Sequence, residues 1–246
     1  MRAVVTGASS GIGAASVRAL VARGWDVVAV ARRRDRLAEL AQETGATYVV
    51  ADLTKEDDVA AMVEQVTTAG PVHALVNNAG GAIGLERIED ADIDAWRAMY
   101  ELNVVATTRV TKALIPAILA SGEGSVLFVT STAAHLPYEG GTGYVMAKHA
   151  ERALMQTLRM EHIKDDLRVI EIAPGMVHTA EFSLSRFGGD QARADAVYAG
   201  VAKPLVAEDI AEAIAWSLSL PHHINVDSMI LRPVAQRFDN SVRRDS

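Results

Sequence analysis

Short β-branched runs alternate with longer helical runs along nearly the whole chain, and this alternation leaves few folds open. Residues 2–6, 25–31, 47–51, 72–76, 125–129, 167–172 and 226–231 read as strands. Several are apolar throughout, as strands buried on both faces are. Helical patterns lie between them, from about 11 to 23, through Leu37, Leu40 and Ala41, through Val59, Met62, Val63 and Val66, and over about 94–120, 142–164 and 207–220. The pattern predicts an α/β fold, a parallel sheet with helices on both faces, with 1–246 forming one domain. Local signals refine this. Thr54 and Asp57 have capping-box spacing, and Pro116 predicts a bend in the long helix. Residues 174–203 are loop-rich, and the polar stretch from Gln236 reads as a mobile tail.

The first strand runs straight into Gly7-Ala-Ser-Ser-Gly11-Ile-Gly13, after which a helix begins. A strand, a glycine turn and a helix N-terminus can hold a phosphate on backbone N–H groups. Gly7 permits the tight turn, Gly11 a close approach of backbone to a pyrophosphate, and Gly13 close packing of helix on strand. In open α/β sheets the ligand lies beyond the carboxyl ends of the strands, so each end is informative. The second strand ends in Arg32-Arg33-Arg34, about twenty residues past the turn, where an arginine would accommodate a 2′-phosphate. A solvated charge run is the commoner meaning of such a triplet; the glycine turn upstream favours NADP through Arg32 and Arg33. The third strand ends in Asp52-Leu53, where Asp52 is either an adenine acceptor or a turn residue. The fourth ends in Asn77-Asn78-Ala79-Gly80, a poor helix start but a good backbone clamp beside a ribose.

Composition narrows the function classes. A formal net charge of −7 argues against nucleic acid as a partner. With no cysteine there are no disulfides, thiolate chemistry or zinc–cysteine sites. Apolar runs such as 113–120 fall short of the ~18 residues of a membrane span. Nothing ahead of the first strand reads as a signal peptide, so a cytoplasmic, non-membrane protein is expected. The adjacent pair His222-His223 lacks an acid at ligand spacing, so no metal site is expected.

Tyr144 and Lys148 lie four residues apart and share a helix face. Thr130-Ser131-Thr132 brings hydroxyls to the end of the fifth strand, and Asn103 sits inside a helix where its propensity is poor. Each feature alone has an ordinary structural explanation. As a set, Thr6-Gly-Ala-Ser-Ser-Gly-Ile-Gly13, Asp52, Asn77-Asn-Ala-Gly80, Asn103, Ser131, Tyr144-Val-Met-Ala-Lys148 and Pro174-Gly175 resemble the short-chain dehydrogenase/reductase family. The resemblance implies a Rossmann-type, doubly wound, seven-stranded parallel sheet, a nicotinamide cofactor and a tetrad of Asn103, Ser131, Tyr144 and Lys148. It places the cofactor against Gly7, Ser9, Ser10, Gly11, Ile12, Gly13, Arg32, Arg33, Asp52, Leu53, Asn78, Ala79, Gly80, Tyr144, Lys148, Pro174, Gly175, Val177 and Thr179. It also implies a homo-oligomer, dimer or tetramer, built on the two long helices.

A free phenol ionises near pH ~10, so proton exchange near neutrality needs a stabilised phenolate, which Lys148 one turn away would supply. Ser131 would place the substrate oxygen, and Asn103 would hold a water leading from Lys148 to solvent. Residues 136–144, Glu181-Phe-Ser183, Arg186-Phe187, 220–227 and Ile230-Leu-Arg-Pro233 are similar to the NADP-dependent 3-hydroxy acid (serine-type) dehydrogenases. That implies a small-molecule substrate, a 3-hydroxy acid, semialdehyde or small alcohol or ketone. A carboxylate would need a cation, for which Arg186 is the candidate; its alternative is a surface pair with Glu181 or Asp190. Two other functions compete: a catalytically inactive NADP-binding regulatory or scaffold protein on this fold, and another Rossmann-type enzyme such as a methyltransferase, which has no use for Tyr144 and Lys148.

Overall fold

The computed structural model describes residues 1–179, 181–238 and 241–245. The first half alternates β1 (Arg2–Thr6), α1 (Gly11–Ala22), β2 (Asp26–Ala31), α2 (Arg34–Thr44), β3 (Thr47–Val50), α3 (Glu56–Thr68) and β4 (Ala74–Asn77). Helices α4 (Ile93–Tyr100) and α5 (Ala106–Leu119) follow, then β5 (Gly124–Val129), α6 (Thr142–Glu161) and β6 (Leu167–Pro174). The segment expected to be loop-rich carries β7 (Val177–His178), α7 (Phe182–Arg186) and α8 (Gln191–Tyr198). After it come β8 (Leu205–Val206), α9 (Ala207–Ser219), β9 (Met229–Leu231), β10 (Gln236–Phe238) and β11 (Ser241–Val242).

Seven strands form one sheet in the order β3-β2-β1-β4-β5-β6-β9, and every pairing is parallel. The expected Rossmann-type doubly wound sheet is therefore present. Its two faces separate by residue parity. Val5, Ala29, Val76, Leu127 and Ile170 pack with Val17 and Leu20 of α1 and with Ile210 and Ile214 of α9. Val4, Val28, Leu75, Val126 and Phe128 pack with Met62 of α3, Leu114 and Ile118 of α5 and Met155 of α6. Strand β5 is buried at all six positions because helices cover both of its faces. Each fully buried Leu or Ile contributes about 1.5–3 kcal/mol relative to exposure.

Four local expectations change. The capping box does not form: α3 starts at Glu56 behind Lys55, and Thr54 Oγ1 donates instead to Asp52 Oδ1 at 2.7 Å. The long helix departs from α geometry at a single π turn, Glu101–Val105, and runs on through Pro116. The continuous helix Ile93–Leu119 also reaches the length and composition of a membrane-crossing segment, with mean hydropathy 1.3 over its best window. It carries Arg97, Arg109 and Lys112, and Val110, Leu114 and Ile118 bury its inner face in the core. Finally, the polar stretch from Gln236 folds back as β10 and β11, an antiparallel pair. Its residues 239, 240 and 246 lie outside the described residues.

Candidate active site

Strand order reverses between β1 and β4, which opens a crevice above their carboxyl ends. Thr6, at the end of β1, ties the two strand ends together. Its Oγ1 donates to Val76 O at 3.2 Å and accepts from the N–H groups of Asn78 and Ala79, both at 3.0 Å. Asn78 Nδ2 returns a bond to Thr6 O at 2.9 Å. These bonds fix the glycine turn against the Asn78-Ala79-Gly80 turn. Gly7 has φ +65°, and a Cβ there would lie 2.9 Å from Ala79 Cα. At Gly13 a Cβ would lie 2.3 Å from Gly7 O. The N-cap Ser10 makes no side-chain cap bond, so the first N–H groups of α1 and the positive end of its dipole are available to an anion. The turn is thus shaped for a diphosphate held on backbone.

One cleft of about 810 Å³ gathers the residues singled out in the sequence. Ser9, Ser10, Gly11, Ile12, Arg32, Arg33, Asp52, Leu53, Asn78, Ala79 and Gly80 line it from the amino-terminal half. Ser131, Tyr144, Lys148, Pro174, Gly175, Val177 and Thr179 line it from the other. Of the predicted set only Gly13 and Asn103 are set back from its wall, Gly13 in the strand–helix contact and Asn103 fully buried. Thr179 sits over Gly11, with Cγ2 3.5 Å from where a Cβ would be. Arg33 donates to Ser9 Oγ and Ser10 Oγ, with Nη1 2.8 Å from Glu181 Oε2. Asp52 Oδ1 accepts from Thr54 N and Oγ1, and these bonds hold its carboxyl below the usual range, with the nearby Arg32 adding to this.

At the other end of the cleft Tyr144 is 8% exposed, and its ring meets Phe182 edge-on at 6.1 Å. Lys148 Nζ lies 5.9 Å from that ring's centroid and donates to Val129 O at 3.2 Å. Ser131 Oγ accepts from Ala133 N at 3.1 Å and donates to Pro174 O at 3.4 Å, standing at the carboxyl end of β5. Asn103 spends its whole amide on backbone. Nδ2 donates to Met99 O (2.7 Å) and Gly81 O (2.9 Å), and Oδ1 accepts from Gly81 N (3.1 Å). Those bonds accompany the π turn and hold Gly81; at its neighbour Gly80 a Cβ would lie 2.6 Å from Asn103 Oδ1 and 3.4 Å from Lys148 Nζ.

Arg186 does not make the alternative surface pair with Glu181 or Asp190. Its Nε donates to Gly84 O at 2.8 Å and Nη2 to Tyr138 OH at 3.1 Å, and its guanidinium lies 5.9 Å from the Tyr144 ring. Glu181 pairs with Arg33 instead. Three contributors went unnoticed in the sequence. Gln236 Oε1 accepts from Met176 N at 2.8 Å, anchoring the folded tail beneath the Pro174-Gly175 turn. Arg244 lines the cleft and binds the carbonyls of Val197 and Ala199 at the end of α8. Glu151 meets Lys148, and its only sequence signal is i,i+3 spacing, which surface pairs share. No group of histidines and acids arranged for a metal occurs among the described residues.

The short chain dehydrogenase pattern matches residues 1–186. An uncharacterized oxidoreductase of Mycobacterium tuberculosis is 53% identical over 94% of this chain and 90% of its own length. The NADP-dependent 3-hydroxy acid dehydrogenase of Escherichia coli is 34% identical over 97% of each chain. Among solved structures, the closed form of a serine dehydrogenase complexed with NADP⁺ superposes with a TM-score of 0.93 at 32% identity, covering all of both chains. On fold, site and these matches together, the chain belongs to the short-chain dehydrogenase family.

Proposed function

We propose that this protein is an NADP(H)-dependent oxidoreductase that interconverts a hydroxyl and a carbonyl, with Tyr144 as general acid/base. The observation that carries the reading is the buried Tyr144–Lys148 couple with Ser131 in the cleft that the glycine turn enters. When bound, the nicotinamide supplies the hydride in reduction and takes it up in oxidation. Everything else falls to the chain. The N-terminus of α1 and Thr179 hold the diphosphate, and Lys148 orients the nicotinamide ribose. Ser131 places the substrate oxygen against Tyr144, which gives or takes the proton. Lys148 favours the phenolate electrostatically. With its amide bonded to Gly81 and Met99, Asn103 serves the proton route by fixing the π turn beside Lys148. A family member retained only as a scaffold has no need of this whole set.

Arg33, with Arg32 beside it, is the 2′-phosphate site. Its present partners, two hydroxyls and a carboxylate, form an all-oxygen set that a phosphate can take over. Arg33→Ala is expected to lower kcat/KM for NADPH by about 10- to 100-fold and to leave NADH within a few-fold. Initial rates with both cofactors on one carbonyl substrate test this; equal kcat/KM in the wild type would overturn the NADP assignment.

The substrate class we infer is a 3-hydroxy acid and its 3-oxo acid or semialdehyde counterpart. The support is Arg186, a half-buried cation held by Gly84 and Tyr138 beside the Tyr144 ring, together with the relatives named above. Arg186→Ala should raise KM for hydroxy acids about tenfold or more while sparing an uncharged alcohol. An unchanged KM for the acids removes Arg186 as the anchor.

A further inference from the structure

The proposed chemistry leaves the buried acid that meets Lys148 without a part. Glu151 stands one turn beyond Lys148 on α6, and its Oε2 accepts from Lys148 Nζ at 2.6 Å. The two side chains are 1% and 5% exposed, so the pair is almost wholly out of water. Burial pushes the proton affinity of Lys148 down; the Glu151 carboxylate, with a smaller contribution from Tyr144, opposes this, and together they leave it raised. Burial pushes the Glu151 carboxyl up, the ammonium opposes this, and Glu171 adds to the rise.

The remaining neighbours come from four elements. On β6, Glu171 Oε1 accepts from Thr130 Oγ1 at 2.8 Å and lies 3.1 Å from His135 Nε2, in the turn after β5. Arg152, on α6, approaches the same oxygen at 3.7 Å. Arg186 on α7 is the further cation beside the phenol. Glu171 therefore has partners of its own, and the acid facing Lys148 directly is Glu151.

We propose that Glu151 is a positioning residue that holds Lys148 in a neutral buried ion pair and thereby sets the pH at which the Tyr144–Lys148 couple releases its proton. This rests on Tyr144 being the acid/base. The sign follows from counting charges. With Glu151 ionised, the couple carrying both protons leaves the site neutral, and losing one leaves a buried negative charge. Without that carboxylate the protonated couple is a buried positive charge, and losing a proton neutralises it. Glu151 therefore keeps the couple protonated to higher pH, which favours proton donation to a carbonyl oxygen. The direction is the same whichever member of the couple gives up the proton, because coupled groups titrate as a pair.

Glu151→Gln keeps the shape and removes the charge. Two midpoints report on it: that of kcat/KM against pH for alcohol oxidation, and that of the ultraviolet phenolate signal of the NADP⁺-bound protein, taken as a difference from Tyr144→Phe. Both are expected to fall by about one pH unit or more. Glu151→Asp, which draws the charge back by one methylene, shifts them the same way by less and serves if the glutamine variant does not fold. A midpoint unchanged or raised in whichever variant folds overturns the inference. Failure of the underlying acid/base reading looks different: turnover then survives in Tyr144→Phe, or is missing from the wild type.

Discussion

Tyr144→Phe should cut turnover about a thousandfold or more and leave NADPH binding intact. The substitution removes one hydroxyl and nothing else. The ring keeps its edge contact with Phe182 and its place among Ala82, Met99 and Val145. Lys148 keeps its bonds to Val129 O and Glu151. Lost with the hydroxyl is the proton that must reach or leave the substrate oxygen, and general acid–base catalysis of that kind contributes about 10²–10⁴-fold. We therefore expect kcat to fall about a thousandfold or more, with the Kd for NADPH from fluorescence titration and the Tm both near wild type. A variant that binds normally and turns over within about tenfold of the wild-type rate would remove Tyr144 from the mechanism.

The second large effect belongs to Gly13→Ala. In an ordinary helix interior this change would stabilise by about 1 kcal/mol. Here the new methyl would lie 2.3 Å from Gly7 O, 2.8 Å from Gly7 C and 2.6 Å from Asn78 Nδ2. Two of those atoms are backbone in the turn itself, so relief requires moving α1 away from the end of β1. Overpacking of this kind costs about 1–3 kcal/mol, enough to reverse the helix gain. The displaced turn is also the proposed diphosphate cradle. Gly13→Ala is expected to lose about 1–2 kcal/mol in urea denaturation and more than tenfold in NADPH affinity. A stabilised variant with unchanged affinity would mean that this close approach is not needed.

The features legible in the sequence are those written in local pattern. Strand order along the chain, the glycine turn and the Tyr144/Lys148 spacing all follow from periodicities of two and 3.6 or from short motifs, and β1 to β6 fall where those periods put them. What stayed hidden depends on distant partners, on burial, or on competition between near acceptors. Asn103 announces itself as an awkward helix residue, but its partner Gly81 lies 22 positions earlier, so the π turn cannot be read locally. Gln236 looks like the start of a loose polar tail until Met176, sixty residues before it, presents an N–H. Glu151 has the i,i+3 spacing of a solvated pair, and only the packing of α6 against the sheet makes it buried. Thr54 had a cap's spacing, but Asp52 two residues away offered a nearer acceptor.

The central claim is that this cleft performs redox chemistry on a hydroxyl or carbonyl carbon. The direct measurement is initial-rate spectrophotometry of the purified wild-type chain with NADP⁺ and NAD⁺ across short 3-hydroxy acids, and with NADPH across the matching aldehydes and 3-oxo acids. The account predicts turnover with at least one 3-hydroxy acid pair, and kcat/KM about tenfold or more higher with the phosphorylated cofactor. Tight NADPH binding with no oxidation or reduction of any of these compounds would contradict it and favour the inactive binding protein.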